Sequence, residues 1–208
     1  MEDFNCPSYA EGKGTNLWMA LAWLEARGHR GVVVSHDTDI LNYTRDLLAR
    51  LSLPLLHPDM GYRFAKGYYS RVTARLHGRV TRLLCFPLIQ ALADVLGPLP
   101  LIEHLQAFRY PLSGEFGGDM DTLAKFALPS GWGLEIAMLA EVQRALAAEQ
   151  MCQVDLGFHF EHRHRSMESG GAGHETGLLA AATEVARSLF HQVMMDAGHR
   201  GGGELLRV

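Results

Sequence analysis

Several large classes of protein are excluded by what this chain lacks. It has only three cysteines in 208 residues, Cys6, Cys85 and Cys152. They are far apart, odd in number and without metal-ligand spacing, which argues against a disulfide framework and points to a reducing cytoplasm. No apolar run reaches the roughly 20 residues of a membrane span. The most apolar stretch, 83–101, is broken by Pro87, Gln90, Asp94, Gly97, Pro98 and Pro100, and reads as a buried helix and its exit. A formal charge of −4 leaves no overall basic footprint for nucleic acid. The acidic opening Met-Glu-Asp-Phe-Asn-Cys-Pro has no signal-peptide pattern. No internal repeat is visible.

The chain does have enough apolar residues for a core, 48% of the total. Asn16–Arg27 carries Leu17, Trp18, Leu21 and Leu24 at helical spacing, with Gly28 as the stop. Residues 31–36 form a β-branched run that reads as a buried strand of a parallel sheet. Thr44 has the position of an N-cap for a helix to about Leu51. A second strand is expected over 62–72, helices over 78–96 and 101–107, and an extended or turn segment over 113–119 leading into a short helix, 119–126. Turn chemistry at 129–133 feeds a long helix over 134–149. A strand over 152–160 and a closing helix over 174–197 follow, with mobile segments at 169–173 and 201–203. This alternation is that of an α/β fold.

Six segments carry candidate chemistry. The strand 31–36 ends in Asp37-Thr-Asp39, and residues two apart on a strand face one way. Two carboxylates at the carboxyl end of a strand suit Mg²⁺ or Mn²⁺ on a substrate phosphate, although a capping aspartate after a strand gives the same pattern. Lys13 lies in the glycine-flanked loop Gly-Lys-Gly-Thr (12–15), where backbone and ammonium can approach an anion. The loop is not a P-loop, and alone it reads as a surface turn. Glu-His-Arg-His-Arg (161–165) follows a strand and offers a neutral imidazole beside two arginines, or a solvated charged loop. Gly78, Arg79 and Thr81 open a helix, where free N–H groups favour an anion. Glu115 and Glu135 each sit in a glycine-flanked aromatic segment, as substrate-orienting carboxylates or as first-turn helix acids. Trp132 fits either a sugar-stacking wall or the core.

Taken in order, the segments resemble a known family. They run Gly-Lys-Gly-Thr (12–15), His-Asp-Thr-Asp-Ile-Leu-Asn-Tyr (36–43), Phe-Ala-Lys-Gly-Tyr-Tyr-Ser-Arg-Val (64–72), Gly-Arg-Val-Thr-Arg-Leu (78–83), Tyr-Pro-Leu-Ser-Gly-Glu-Phe (110–116), Pro-Ser-Gly-Trp-Gly-Leu-Glu-Ile (129–136), Val-Asp-Leu-Gly (154–157) and Glu-His-Arg-His (161–164). From about residue 12 to 190 the chain is similar to glucosyl-3-phosphoglycerate synthases, retaining glycosyltransferases of the GT-A fold. The resemblance implies a Rossmann-related mixed sheet flanked by helices. It also implies that Asp37, Asp39 and His162 hold Mg²⁺ or Mn²⁺ on the diphosphate of a nucleotide sugar. Lys13, Asp37 and Glu115 then lie on the donor side. Gly78, Arg79 and Thr81 receive the acceptor, 3-phosphoglycerate. Glu135 orients the sugar and acceptor hydroxyl, and with Asp39 makes the catalytic pair. Some members carry Asn two residues after the metal histidine; here His164 stands there, and that acceptor contact is not carried over.

The implied reaction moves glucose from UDP-glucose or another nucleotide-diphosphate glucose to the 2-hydroxyl of 3-phosphoglycerate, giving a precursor of the compatible solute glucosylglycerate. A cytoplasmic homodimer without nucleic-acid or membrane partners is expected. The expected organisation is a partial glycosyltransferase domain over 1–168, then a linker, closing helix and tail over 169–208. The family carries further nucleotide-binding strands before the Gly-Lys-Gly loop. Amino-terminal truncation is therefore expected, with the strand 31–36 beside an unpaired sheet edge. Two other readings stay open: a catalytically inactive remnant that acts as a folding or oligomerisation module, and a metal-dependent hydrolase of small phosphates.

Overall fold

Strands β1 (Val32–Ser35), β2 (Phe64–Tyr68), β3 (Phe116–Asp119) and β4 (Met151–Asp155) form one mixed sheet in the order β1-β3-β2-β4. The computed structural model describes residues 12–70, 77–157 and 173–199. The ends of the expected strands 62–72 and 152–160, the segment 161–165 with His162 and His164, the segment 169–172, the tail and Cys6 lie outside the described residues.

β3 runs antiparallel to both β1 and β2, while β2 and β4 are parallel. β1 therefore points the same way as β2 and β4. Its hydrogen-bonded neighbour is nevertheless the reversed β3, and among the described residues it is an edge strand. The reading as a buried strand of a parallel sheet is corrected accordingly: its four residues are half-buried. The β-branched run misled because its burial comes from a partner with little side chain. Val34 pairs with Gly117 and Val33 with Gly118. A Cβ on Gly117 would lie 2.7 Å from Leu55 Cδ1 and 3.2 Å from Val34 Cγ2. Glycine normally weakens a strand interior; here it leaves the space that Val34 and Leu55 occupy. Strand β3 is the segment expected only as extended or turn, because Phe-Gly-Gly-Asp has almost no strand propensity.

The strand alternation of β2 sends Phe64 into the larger core and Ala65 into the smaller one. The larger core joins Phe64 and Phe116 to helices α3 (Phe86–Leu96), α4 (Pro100–Gln106), α5 (Met120–Leu123), α6 (Leu134–Ala145) and α7 (Gly173–His199), through Ile89, Leu101, Leu105, Leu123, Leu139 and Leu189. The smaller core packs Leu47 and Leu51 of α2 (Arg45–Leu56) against Ala65, Tyr69 and Leu156. Thr44 precedes α2 in extended conformation, as its N-cap position requires, although its side chain makes no cap bond.

Two helices differ from the sequence reading for local reasons. The helix expected over 78–96 opens as a π-helical turn, Thr81–Cys85, with the Phe86 N–H bonded to Thr81 O. Pro87 has no N–H and would crowd the carbonyl four residues back; the wider turn relieves both. The helix expected to run to Glu149 stops at Ala145 and resumes as a 3₁₀ turn, Ala148–Gln150. No helix among the described residues is long and apolar enough to cross a membrane.

Candidate functional site

The topology brings distant segments to one end of the sheet. Because β3 is reversed, its amino end meets the carboxyl ends of β1 and β2: Ser35 and Lys66 both pair with Phe116. Asp37, just past β1, Tyr69, just past β2, and residues 113–115, just before β3, therefore converge there. This is the end of an open α/β sheet where ligands bind.

Lys13 enters the same place from another direction. It is the first residue of helix α1 (Lys13–Ala26), not part of a loop as the glycines suggested. Gly12 precedes the helix, and the backbone of 129–130 passes so close to Gly12 and Gly14 that a Cβ on either would overlap it. The Gly14 N–H donates to Ser130 O at 2.8 Å. The Lys13 Nζ lies 2.5 Å from Asp37 Oδ1 and 3.0 Å from Glu135 Oε1, in the first turn of α6. Burial favours the neutral amine, but Glu135 and Asp37 outweigh it and hold the Lys13 ammonium above its ordinary range. A side chain on Gly114 would run into both Lys13 Nζ and the Asp37 carboxylate, so a glycine there is the floor of the ion pair.

Beneath this pair lies a second, enclosed tier. Glu115 is 0% exposed. Its Oε1 accepts from the Asp37 N–H at 3.3 Å, and its Oε2 has no partner. Burial and then the Asp37 charge raise its pKa, partly offset by the Tyr69 hydroxyl, the Asp37 N–H and Lys13. In this conformation Glu115 supports Asp37 from behind. Lys66, 1% exposed, donates to Ser113 O at 2.6 Å. Burial pushes its pKa down to about 8, against the pull of Glu135. Ser113 Oγ in turn donates to Gly67 O.

The sequence reading missed Lys66, Tyr69, Ser113 and Gly114. One signal was available for Lys66: it shares a face of β2 with Phe64, so a lysine occupies a core-facing position.

Asp39 is exposed in the turn after β1 and not on the strand, so strand alternation is not what relates it to Asp37. Among the described residues no three His, Cys, Asp or Glu side chains form a metal-binding group. Asp37 and Asp39 remain as two hard oxygen donors, and Asp37 already attracts a cation, the Lys13 ammonium. A divalent ion fits that position by charge and by donor chemistry.

Gly78, Arg79 and Thr81 sit at the start of the π-helical turn. Gly78 has φ +73°. Arg79 is exposed, whereas Thr81 is buried. An aromatic bridge links this helix start to the carboxylates. A Cβ on Gly78 would lie 3.3 Å from the Tyr110 hydroxyl. Tyr110 packs edge-on against Tyr69 at 5.0 Å, and Tyr69 is hydrogen-bonded to Glu115. The Tyr69 phenol is held well above its ordinary pKa by burial and then by Glu115. Trp132 is 58% exposed, which fits a binding wall and excludes the core.

No protein-family model matches the chain. Over 186 residues it is 40% identical to the glucosyl-3-phosphoglycerate synthase of Persephonella marina, covering 89% of this chain and 45% of that protein. Over 195 residues it is 33% identical to the enzyme of the same name from Methanococcoides burtonii, covering 91% and 46%. Its structure resembles that of the Mycobacterium tuberculosis synthase in complex with Mn²⁺, UDP-glucose and phosphoglyceric acid, with a TM-score of 0.68 and 29% identity, over 90% of this chain and 56% of that one. The chain thus spans about half the length of the curated relatives it matches. On fold, sequence and the order of its motifs, it belongs to the glucosyl-3-phosphoglycerate synthase family.

Proposed function

We propose that this chain carries the metal and acceptor side of a retaining glycosyltransferase that moves glucose from UDP-glucose to the 2-hydroxyl of 3-phosphoglycerate. The observation that carries the reading is Lys13 bridging Asp37 and Glu135 at the carboxyl end of the sheet. Three segments far apart in sequence meet there with the residue types that nucleotide-sugar transfer needs. Asp37 and Asp39, with His162 from outside the described residues, are the residues that would hold Mg²⁺ or Mn²⁺. The ion, when bound, offsets charge on the leaving diphosphate.

The chain's own residues do the rest. Lys13 places a fixed positive charge beside the diphosphate position. Glu135, anchored by Lys13, accepts hydrogen bonds from the sugar and orients the acceptor hydroxyl. Arg79 offers a guanidinium fork to the acceptor phosphate or carboxylate, beside the free N–H groups of a helix start. Thr81 supports that helix start from its buried position. Glu115 is enclosed and has no path to an anomeric carbon, so it acts through Asp37. Retention with no residue assigned as a nucleophile among the described residues fits deprotonation of the acceptor by the leaving phosphate.

The working form is proposed to be a cytoplasmic homodimer. Apolar side chains exposed on α7, including Leu179 and Met194, support self-association, and the unpaired Cys85 and Cys152 suit a reducing compartment. Sedimentation velocity tests the dimer. Incubation of the purified chain with UDP-glucose, 3-phosphoglycerate and Mn²⁺, followed by chromatography for glucosyl-3-phosphoglycerate, tests the activity. Release of inorganic phosphate in place of that product would favour the hydrolase reading.

A further inference from the structure

The loop 130–133 is held from the far side by a single helix. The buried ridge of α7 is Ala181, Val185, Leu189, Val193 and Ala197. Beside it, at the same four-residue spacing, runs a polar ridge of Glu184, Ser188 and Gln192. Each member holds something. The Glu184 carboxylate accepts from the Trp132 N–H at 2.5 Å. Ser188 Oγ donates to Gly133 O at 2.9 Å. Gln192 Oε1 accepts from Arg144 of α6 at 2.6 Å. The approach is close at two glycines: a Cβ on Gly131 would overlap the Glu184 carboxylate, and one on Gly133 would lie 2.7 Å from Ser188 Cβ.

Helix α6 begins at this loop, with Gly133 as its N-cap and no capping side chain of its own. A carboxylate brought to that end satisfies a backbone donor and complements the helix dipole. The same loop faces the site on its other side, since Ser130 O receives the Gly14 N–H. Glu184 thus grips the segment that touches the start of α1 and leads directly into Glu135.

We infer that Glu184 is a positioning residue, setting the loop 130–133 and through it the Lys13–Glu135 pair. The positioning rests on geometry alone. Its consequence for the donor rests on the function proposed above.

Amide hydrogen exchange and calorimetry on the whole chain separate the two. In Glu184→Ala the Gly14 and Trp132 amides are expected to exchange about tenfold faster or more, as loss of a hydrogen bond to a charged group predicts. Amides of the β2–β3 pair are expected to keep their protection. Glu184→Gln, which still presents an acceptor oxygen, is expected to restore most of the protection at Gly14. Mn²⁺-dependent UDP-glucose affinity is expected to fall in Glu184→Ala and recover in Glu184→Gln. Unchanged exchange at Gly14 overturns the inference. So does equal loosening of the β2–β3 amides, which marks a general loss of stability. Faster exchange at Gly14 in a chain whose wild-type form binds no UDP-glucose supports the positioning and removes the donor reading instead.

Discussion

Lys13 lies on the Asp37 carboxylate, 2.5 Å from its Oδ1, an oxygen proposed above as a ligand of the divalent ion. The ammonium and the ion therefore compete for one oxygen. Lys13→Met is expected to tighten Mn²⁺ binding to the ligand-free chain by about five- to tenfold, an allowance of roughly 1 kcal/mol for a partly solvent-screened charge. The same substitution is expected to weaken UDP-glucose, which loses a cation. Calorimetric titration with Mn²⁺ alone and then with nucleotide reads both effects. A fall in Mn²⁺ affinity in Lys13→Met would show that the lysine assists the ion.

Gly114→Ala tests the floor of that pair. The three atoms nearest the added methyl are the movable ends of Lys13 and Asp37. Stability is expected to change by less than about 1 kcal/mol, since flexible side chains can give way. Metal-dependent nucleotide binding is expected to drop severalfold. Urea unfolding beside calorimetry distinguishes the two effects. A large loss of stability with intact binding contradicts the assignment.

For the acceptor, Arg79 is the exposed cation at a helix start. Arg79→Ala is expected to cost about 1.5–3 kcal/mol of 3-phosphoglycerate binding, the range for a hydrogen bond to a charged group. Arg79→Lys is expected to recover only part of it, because an ammonium lacks the bidentate fork. Equal affinity in wild type and Arg79→Ala refutes the role.

His104 gives the fold a pH dependence away from the site. Burial lowers its pKa from 6.5 to about 4, against a backbone hydrogen bond to Leu139, and its ring packs edge-on to Phe108 at 4.9 Å. Between those two pH values the unfolded chain takes up a proton that the folded chain refuses. Its contribution is therefore complete above about pH 6.5 and is lost as pH falls toward 4, by at most about 3 kcal/mol. Urea midpoints measured from pH 7 to 4 are expected to fall more steeply for wild type than for His104→Leu. Parallel curves would place the acid sensitivity elsewhere.

Asp119 ends β3 and caps α5. Its carboxylate accepts from the Thr122 N–H at 2.9 Å and from Arg63 Nε at 2.9 Å, and Arg63 also reaches Thr122 Oγ1. Asp119→Ala is expected to cost about 1–2 kcal/mol in denaturant unfolding, the usual range for loss of a cap. Thr122→Ala should cost less, because the backbone cap bond survives.

The legibility of this molecule in its sequence divides along physical lines. Helices with a clear apolar stripe and a stop, such as α1 and α7, were readable to within a few residues. Strand β3 was not, because its residues suit a strand only when Val34 and Leu55 lie above them. That is tertiary context with no local signature. Residue types at the site were legible through their motifs: Lys13, Asp37 and Glu135 do meet. The layering was not. Nothing local distinguishes Glu115, sealed beneath Asp37, from an exposed glutamate, and nothing marks Lys66 as enclosed until its face of β2 is known. Glu184 was least accessible of all, since its role depends on a loop 52 positions away.

Those separations have a kinetic side. Lys13 meets Glu135 across 122 positions, and the Asp37 backbone meets Glu115 across 78. Contacts of such span form late, because the chain between them must lose its freedom first. On a ribosome, residue 13 emerges long before Glu135, its carboxylate neighbour on α6, has a fold to belong to. The Lys13–Asp37 pair spans only a short stretch of chain, whereas the cluster as a whole cannot close until synthesis has passed residue 135.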